Sequence, residues 1–326
     1  MTKALLKVEN LSVNIRKDKQ LLSAVENISF DVFEKEILGI VGESGSGKSL
    51  TALSITGLLG EGKEASGAIL YHGKNLLALS EEDFMSIRGK EISMIFQEPF
   101  SSLNPLVKVG AQIAETLEIH ALRELHGKKN KALIKREVIE LMKNLGLPEK
   151  TAEAYPHQLS GGMCQRAMIA LAVICRPRLL IADEPTTALD CATQSQILDL
   201  MKKINRDMGT SIIFISHDLS LVRNFCDRAL VMYAGRVLEE GNTEEVFSHP
   251  SHEYTRGLLA SIPDRAAKGK DLAAIPGKVP SLEEGRPKGC PFHPRCAKAG
   301  PDCAGEFPTA RAVSDTHKTR CVLEGK

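Results

Sequence analysis

The sequence predicts an α/β fold with a helical subdomain and a loop-rich C-terminal extension, on three observations. The apolar runs EILGIVG, LLIADE and TSIIFISHD each lead into a turn or helix, the pattern of buried parallel strands. Between Gln97 and Tyr155 no buried strand is evident, and VGAQIAETLEIHALRELHG and KALIKREVIELMKNLGL carry helical periodicity instead. From Ile262 onward, 65 residues hold eight of the 15 prolines and four of the eight cysteines, a composition that interrupts helices and strands. The expected organisation is an α/β domain over residues 1–261, its helical subdomain at about 98–170, and an extension over 262–326. No repeat with a period of about 20 to 50 residues is present, which excludes a solenoid or propeller.

Composition narrows the function classes. The chain has 326 residues and 43% hydrophobic content, ample for a packed core. Its 42 Lys and Arg against 41 Asp and Glu leave a formal charge of +1, and no basic stripe interleaved with aromatics argues for nucleic acid. The N-terminus MTKALLKVEN lacks a signal-peptide core, and no run of about 18 apolar residues escapes charge or Gly/Pro interruption. A cytosolic chain is expected, with reduced cysteines whose clustering suggests metal rather than disulfides.

The strand EILGIV runs into Gly42-Glu-Ser-Gly-Ser-Gly-Lys48-Ser49 and then into the helix-forming LTALSITGLL. This is a phosphate-binding loop in the strand–loop–helix setting it requires, because glycines let backbone N–H groups curl round an anion at a helix N-terminus. Ser44, Gly45 and Gly47 lie in the loop, Lys48 is placed for the β and γ phosphates, and Ser49 for Mg²⁺. At the end of LLIADE, Asp183 and Glu184 alone read as a solvated turn. Beside a phosphate loop they divide labour, Asp183 supporting Mg²⁺ and Glu184 orienting or deprotonating the attacking water. His217 ends the strand TSIIFIS, where open α/β sheets keep their ligands, and is a candidate donor to the γ-phosphate. LSGGM, residues 159–163, opens a helix whose first turn favours an anion but brings no lysine of its own; in isolation Ser-Gly-Gly is a turn and cap.

These motifs, in this order, resemble the ATPase subunit of an ABC transporter, a P-loop NTPase (ABC ATPase) core, over roughly residues 5 to 260. Gly42–Ser49 resembles its P-loop, Gln97 its Q-loop and Leu159–Gln165 its signature. Leu179–Glu184 resembles its second nucleotide motif, Ala188-Leu189-Asp190 its D-loop, and His217 its switch histidine. The resemblance implies that two ATPase domains pair head to tail, with Ser160 and Gly162 serving ATP held by the neighbour's P-loop. It also implies Gln97 at the Mg²⁺ and the reacting phosphate, and Asp190 at the nucleotide. Ile15 in LSVNI stands where the family commonly stacks an aromatic ring on adenine, which implies apolar cover of the base and looser discrimination of ATP from GTP.

Residues HPSHEYTRGLLASIPD, IPGKVPSL and GCPFHPRCAKAGPDC, with EPFSSLNPLVKVGAQIAE after Gln97, are similar to dipeptide and oligopeptide importer ATPases, a group with relatives serving nickel and glutathione. That resemblance implies an ATP-hydrolysing subunit at the cytoplasmic face of the membrane. Its partners would be a second ATPase subunit, two permease subunits as separate chains, and an extracytoplasmic solute-binding protein. The competing class is a soluble ABC-type ATPase without a permease. Such proteins usually carry two cassettes or a long coiled-coil insertion, and this sequence has neither.

Cys290, Cys296, Cys303 and Cys321 are separated by five, six and seventeen residues, and lack the C-x2-C knuckle usual for structural zinc. His293 and His317 are near enough in sequence to act as zinc ligands. Four thiolates on a proline-broken loop also suit a [4Fe-4S] cluster, which the resemblance supports. Zinc and unligated thiols are the alternatives. Cys164, Cys175, Cys191 and Cys226 are expected to be small buried apolar side chains, and KKNKALIKREV, residues 128–138, a solvated helix face.

Overall fold

The computed structural model describes residues 3–18, 20–98, 102–121, 129–187, 189–262 and 274–323. The chain divides into two compact units, Met1–Ala78 with Phe214–Lys326, and Leu79–Ile213. Strands β1 (Ala4–Lys17), β2 (Gln20–Phe33), β3 (Ile37–Val41), β4 (Lys63–Tyr71) and β5 (Lys74–Asn75) belong to the first unit. Strands β6 (Ile92–Ile95) and β7 (Leu179–Asp183) belong to the second, and β8 (Ser211–Ser216) runs across the division. Strands β9 (Arg228–Tyr233), β10 (Arg236–Asn242), β11 (Arg311–Ala312) and β12 (Lys318–Thr319) return to the first.

In the first unit an antiparallel sheet has the order β2-β1-β4-β5. Its long strands bury Leu6, Val8, Leu11 and Val13 of β1 and Val25, Ile28, Phe30 and Val32 of β2. Breaks in the period fall at register shifts such as that between Val8 and Leu11, where a bulge re-aims the strand. Strand β3 behaves differently: all five residues are buried, so its sequence is apolar without alternation. It pairs in parallel with β9, Leu38 opposite Arg228 and Val41 opposite Val231. Ala234 and Gly235, with φ of 45° and 77°, turn β9 back into β10, and β10, β12 and β11 continue antiparallel. The helices Lys48–Ile55, Leu219–Phe225, Thr243–Ser248 and Glu253–Ala260 complete this unit.

In the second unit β6 and β7 pair in parallel from Ile92 opposite Leu179 to Ile95 opposite Ala182. The helical periodicity after Gln97 is realised in Val109–Ala121 and Lys129–Asn144, while residues 122–128 and 99–101 of those stretches lie outside the described residues. Val109, Ile113 and Leu117 form the buried stripe of the first helix, and Ile134, Val138 and Leu141 that of the second. Lys135 and Arg136 are exposed beside that second stripe, as a solvated basic face requires. The helices Gly161–Val173 and Cys191–Met208 follow. Among the described residues, no helix is long and apolar enough to cross a membrane.

Candidate functional site

In the first unit β3 delivers the chain at Val41 into the glycine-rich loop, and the helix Lys48–Ile55 begins directly after it. Gly45 and Gly47 adopt φ of 78° and 98°, conformations that side-chain-bearing residues resist. A Cβ on Gly47 would also stand 2.9 Å from Val25 Cγ2, so the loop packs on β2 only because that position lacks a side chain. Such turns present successive N–H groups to an anion. The Lys48 ammonium is buried and donates to the carbonyls of Gly42 at 2.8 Å and Glu43 at 2.9 Å, and to Ser46 Oγ at 3.3 Å. Ser44, Gly45 and Ser49 are exposed on the loop and the first helical turn. Ile15 is half-buried on β1, with Leu22 and Lys63 as its cross-strand partners. His217 is exposed just past β8, and Asp218 beside it caps the next helix by accepting from the N–H of Ser220 and Leu221.

In the second unit Asp183 is buried at the end of β7, and Glu184 follows with φ of 48°, a left-handed conformation unusual for a residue with a side chain. Its Oε2 accepts hydrogen bonds from Gln97 Nε2 at 3.1 Å and Thr187 Oγ1 at 3.0 Å. The expected Q-loop and strand-end residues therefore meet, although 87 positions apart. Ser160 caps the helix Gly161–Val173, its Oγ accepting from the Met163 N–H at 3.4 Å. A Cβ on Gly162 would lie 2.7 Å from Thr193 Cγ2, so that residue lets the helix start approach the start of Cys191–Met208. Asp190 caps the latter, accepting from the N–H groups of Ala192 and Thr193, each at 3.0 Å, and from Thr193 Oγ1 at 2.6 Å. The Thr193 hydroxyl holds the Asp190 carboxyl below its ordinary range. Ala188, the first residue of the expected D-loop, lies outside the described residues.

The cysteine quartet lies in the C-terminal stretch of the first unit. Among the described residues, no group of three or more His, Cys, Asp or Glu is arranged to hold a metal ion. The four thiols are electrostatically coupled, Cys321, Cys303 and Cys296 each raising Cys290. Burial pushes the Cys290 thiol up to about 12, so without a metal it is protonated. The two candidate histidines are engaged elsewhere: His317 Nε2 pairs with buried Glu239 at 2.7 Å, and His293 Nδ1 lies 2.9 Å from the Cys290 carbonyl. The imidazole that does reach the quartet is His252, outside the cysteine-rich stretch, with Nε2 3.6 Å from Cys290 Sγ. The Tyr254 N–H donates to its Nδ1, and burial lowers its pKa to about 4, so the neutral ring carries its proton on Nε2, toward the sulfur. Of the other cysteines, Cys164 and Cys226 are buried as expected, whereas Cys175 is only half-buried and Cys191 is exposed at a helix start.

The support of the phosphate loop leaves almost no mark in the sequence. Glu43, a variable position of the motif, donates its N–H to Tyr254 Oη at 2.9 Å, and its carboxylate takes both arms of the Arg295 guanidinium, at 2.7 and 3.1 Å. Only the acid inside the motif hinted at this; nothing in the spacing marks Tyr254 or Arg295 as its partners.

A family model described as ABC transporter matches residues 25–187, and one described as oligopeptide/dipeptide transporter, C-terminal region, matches residues 238–303. The chain is 45% identical to the oligopeptide transport ATP-binding protein OppD of Haemophilus influenzae, over 92% of this chain and 91% of that protein. It is 41% identical to the dipeptide transport ATP-binding protein DppD of Escherichia coli, over 98% and 96%. Among solved structures, the ATP-binding cassette MJ0796, a dimer bound to ADP and phosphate in a post-hydrolysis state, superposes with a TM-score of 0.65 at 28% identity, covering 73% of this chain and 98% of that one. CbiO1 of Clostridium perfringens, part of the ABC transporter complex cbiONQ, superposes with a TM-score of 0.64 at 29% identity, covering 76% and 91%.

Proposed function

This chain belongs to the ABC transporter ATPases of the oligopeptide/dipeptide transporter family, and from that premise we propose that it hydrolyses ATP to power import of short peptides through separate permease subunits. One observation carries the peptide assignment: the C-terminal region of oligopeptide/dipeptide transporters is matched on the same chain as the ABC transporter region. The names of the relatives agree with it. The working unit in this reading is a pair of ATPase subunits at the cytoplasmic face of the membrane, with two permeases and an extracytoplasmic solute-binding protein. Its domain organisation is an ATP-binding domain over 1–261, with helices at about 98–170, and an extension over 262–326.

Within that reading the roles follow from the chemistry of the side chains. Ser44, Gly45 and Gly47 bind phosphate oxygens through backbone N–H groups, and Lys48 exchanges its carbonyl partners for charge-assisted bonds to the β and γ phosphates. Ser49, Asp183 and the amide oxygen of Gln97 offer the hard oxygen donors that suit Mg²⁺, which when bound neutralises phosphate charge. Glu184 takes the proton of the attacking water; its hydrogen bonds from Gln97 and Thr187 support an oriented carboxylate. His217 donates to the γ-phosphate, Ile15 covers the base, Asp190 lies at the nucleotide, and Ser160 and Gly162 complete the partner subunit's site.

An iron-sulfur or zinc centre on Cys290, Cys296, Cys303 and Cys321 is the finer reading of the extension. Its support is the electrostatic coupling of the four thiols; against it stands the absence of a metal-holding group among the described residues. Anaerobic metal analysis decides between iron, zinc and neither.

The functional test is uptake by membrane vesicles carrying this chain with its permeases and solute-binding protein. ATP-dependent uptake of a labelled di- or oligopeptide is expected. Uptake of nickel or glutathione without peptide moves the assignment to another solute, and hydrolysis that no permease stimulates overturns the transporter reading.

A further inference from the structure

Glu43 is the meeting point of three contacts on the phosphate loop. Its carbonyl accepts from Lys48 Nζ at 2.9 Å, its N–H donates to Tyr254 Oη at 2.9 Å, and its carboxylate receives Arg295 at two oxygens, at 2.7 and 3.1 Å. The arginine is held as firmly as the acid. Its Nε donates to the Pro276 carbonyl at 2.8 Å, and its guanidinium lies 5.7 Å from the Tyr233 ring centre and 5.9 Å from that of Phe292. Tyr233 meets Tyr254 and Phe292 edge to face, and those two rings are tilted against each other. A second arginine of the extension acts on the same loop through the backbone. Arg286 donates to the carbonyls of Ala234 and Ser23, and the next residue of that turn, Gly235, donates its N–H to the Ser46 carbonyl at 3.0 Å.

The Arg295 side chain is 6% exposed, but that of Glu43 is 30% exposed. The pair is open to water only on the Glu43 side, and its two-point geometry has a directional consequence. A planar fork gripping both oxygens fixes the direction of a carboxylate, which a lysine, a point charge, does not. With its carboxylate and N–H both fixed, Glu43 has little freedom to turn its carbonyl away from Lys48. Nucleotide then meets a loop that is already ordered, and the ordering cost of an immobilised segment is removed from binding.

We propose that Arg295 is a positioning residue for the nucleotide, holding Glu43 so that the P-loop and Lys48 are pre-set for the phosphates, and that the C-terminal extension thereby sets the ATP affinity of this subunit. This rests on ATP binding at the P-loop. The role is positioning, not catalytic, because the guanidinium contacts the loop.

The test measures ATP and ADP dissociation constants, with KM and kcat for hydrolysis, on the full-length chain and on Arg295→Ala, Arg295→Lys, Glu43→Gln and the Arg295→Ala/Glu43→Gln double variant. Each single change to Ala or Gln is expected to raise Kd and KM for ATP roughly 2- to 12-fold, the effect of one freed side chain, with kcat at saturation unchanged. Arg295→Lys should recover part of the shift, and the double variant should be no weaker than the worse single one, because both remove the same contact. If Arg295→Ala does not fold, Glu43→Gln, at a partly exposed position, carries the test alone and must show the same shift. Unshifted affinity in folded variants, additive losses in the double variant, or a fall in kcat at constant KM would overturn the proposal. Absence of ATP binding by the unaltered chain would instead overturn the P-loop reading beneath it.

Discussion

The two units differ in how far along the chain they reach to fasten some motif residues. In the second, the partners are near in sequence: Met163 bonds to Ser160, Thr187 to Glu184, and Thr193 to Asp190. In the first, the phosphate-loop residue Glu43 is held by Tyr254, 211 positions away, and by Arg295, 252 positions away. Gln97 to Glu184 is the long-range member of the second unit. The contrast separates two kinds of site. A helix cap or strand-end turn forms wherever its own few residues are right, whereas the phosphate loop borrows rigidity from a part of the chain that carries none of the nucleotide motifs. Changes within the second unit should therefore act on chemistry or local geometry, and changes in the distant supports of the first on affinity.

The largest effect expected is at Glu184. Glu184→Gln keeps the side-chain shape and should leave ATP bound, but removes the base, and steady-state hydrolysis should fall by roughly 10² to 10⁴. Hydrolysis near the unaltered rate would separate this carboxylate from the chemistry.

Next is Gly162→Ala, which places a Cβ against Thr193 Cγ2 and forces two helix starts apart. Overpacking of this kind costs about 1–3 kcal/mol, read as a lower midpoint in urea unfolding. A loss confined to stability would mark the glycine as a packing residue, while a loss of hydrolysis in the folded protein would tie it to the nucleotide.

Tyr254→Phe is smaller. It removes the acceptor of the Glu43 N–H, costing about 1 kcal/mol in stability. Nucleotide affinity measured on the same variant should weaken in the direction expected for Arg295→Ala, and unchanged affinity would leave the first unit as locally fastened as the second.

The smallest is Thr193→Val. The Thr193 hydroxyl is the foremost cause of the lowered Asp190 pKa, so its loss should move that titration upward toward the ordinary aspartate value, observed by NMR. A carboxyl whose folded pKa is depressed contributes stability that is present above its unfolded value and lost as pH falls through the folded one. The helix cap of the variant should therefore fail at a higher pH during acidification than that of the unaltered chain. An unmoved titration would assign the shift to the backbone N–H groups instead.

The sequence by itself determined the elements whose cause is local. Five consecutive apolar residues make β3 a strand buried on both faces, glycines at left-handed positions make the phosphate loop, and Ser160 and Asp190 at helix starts make caps, because each rests on a short stretch of backbone and its own side chains. The cysteine quartet was legible as a group of thiols but not in its chemistry. Burial raises the Cys290 thiol, the unforeseen neighbour His252 stands beside it, and His317 was drawn away to Glu239. Only the tertiary structure decided that Arg295 and Tyr254 hold Glu43, since no periodicity or spacing records which charges a chain brings together across more than two hundred residues. The physical reason is range. Backbone conformation and capping depend on neighbours within a turn or two, whereas an ion pair or a perturbed thiol depends on what the completed fold places within a few ångströms.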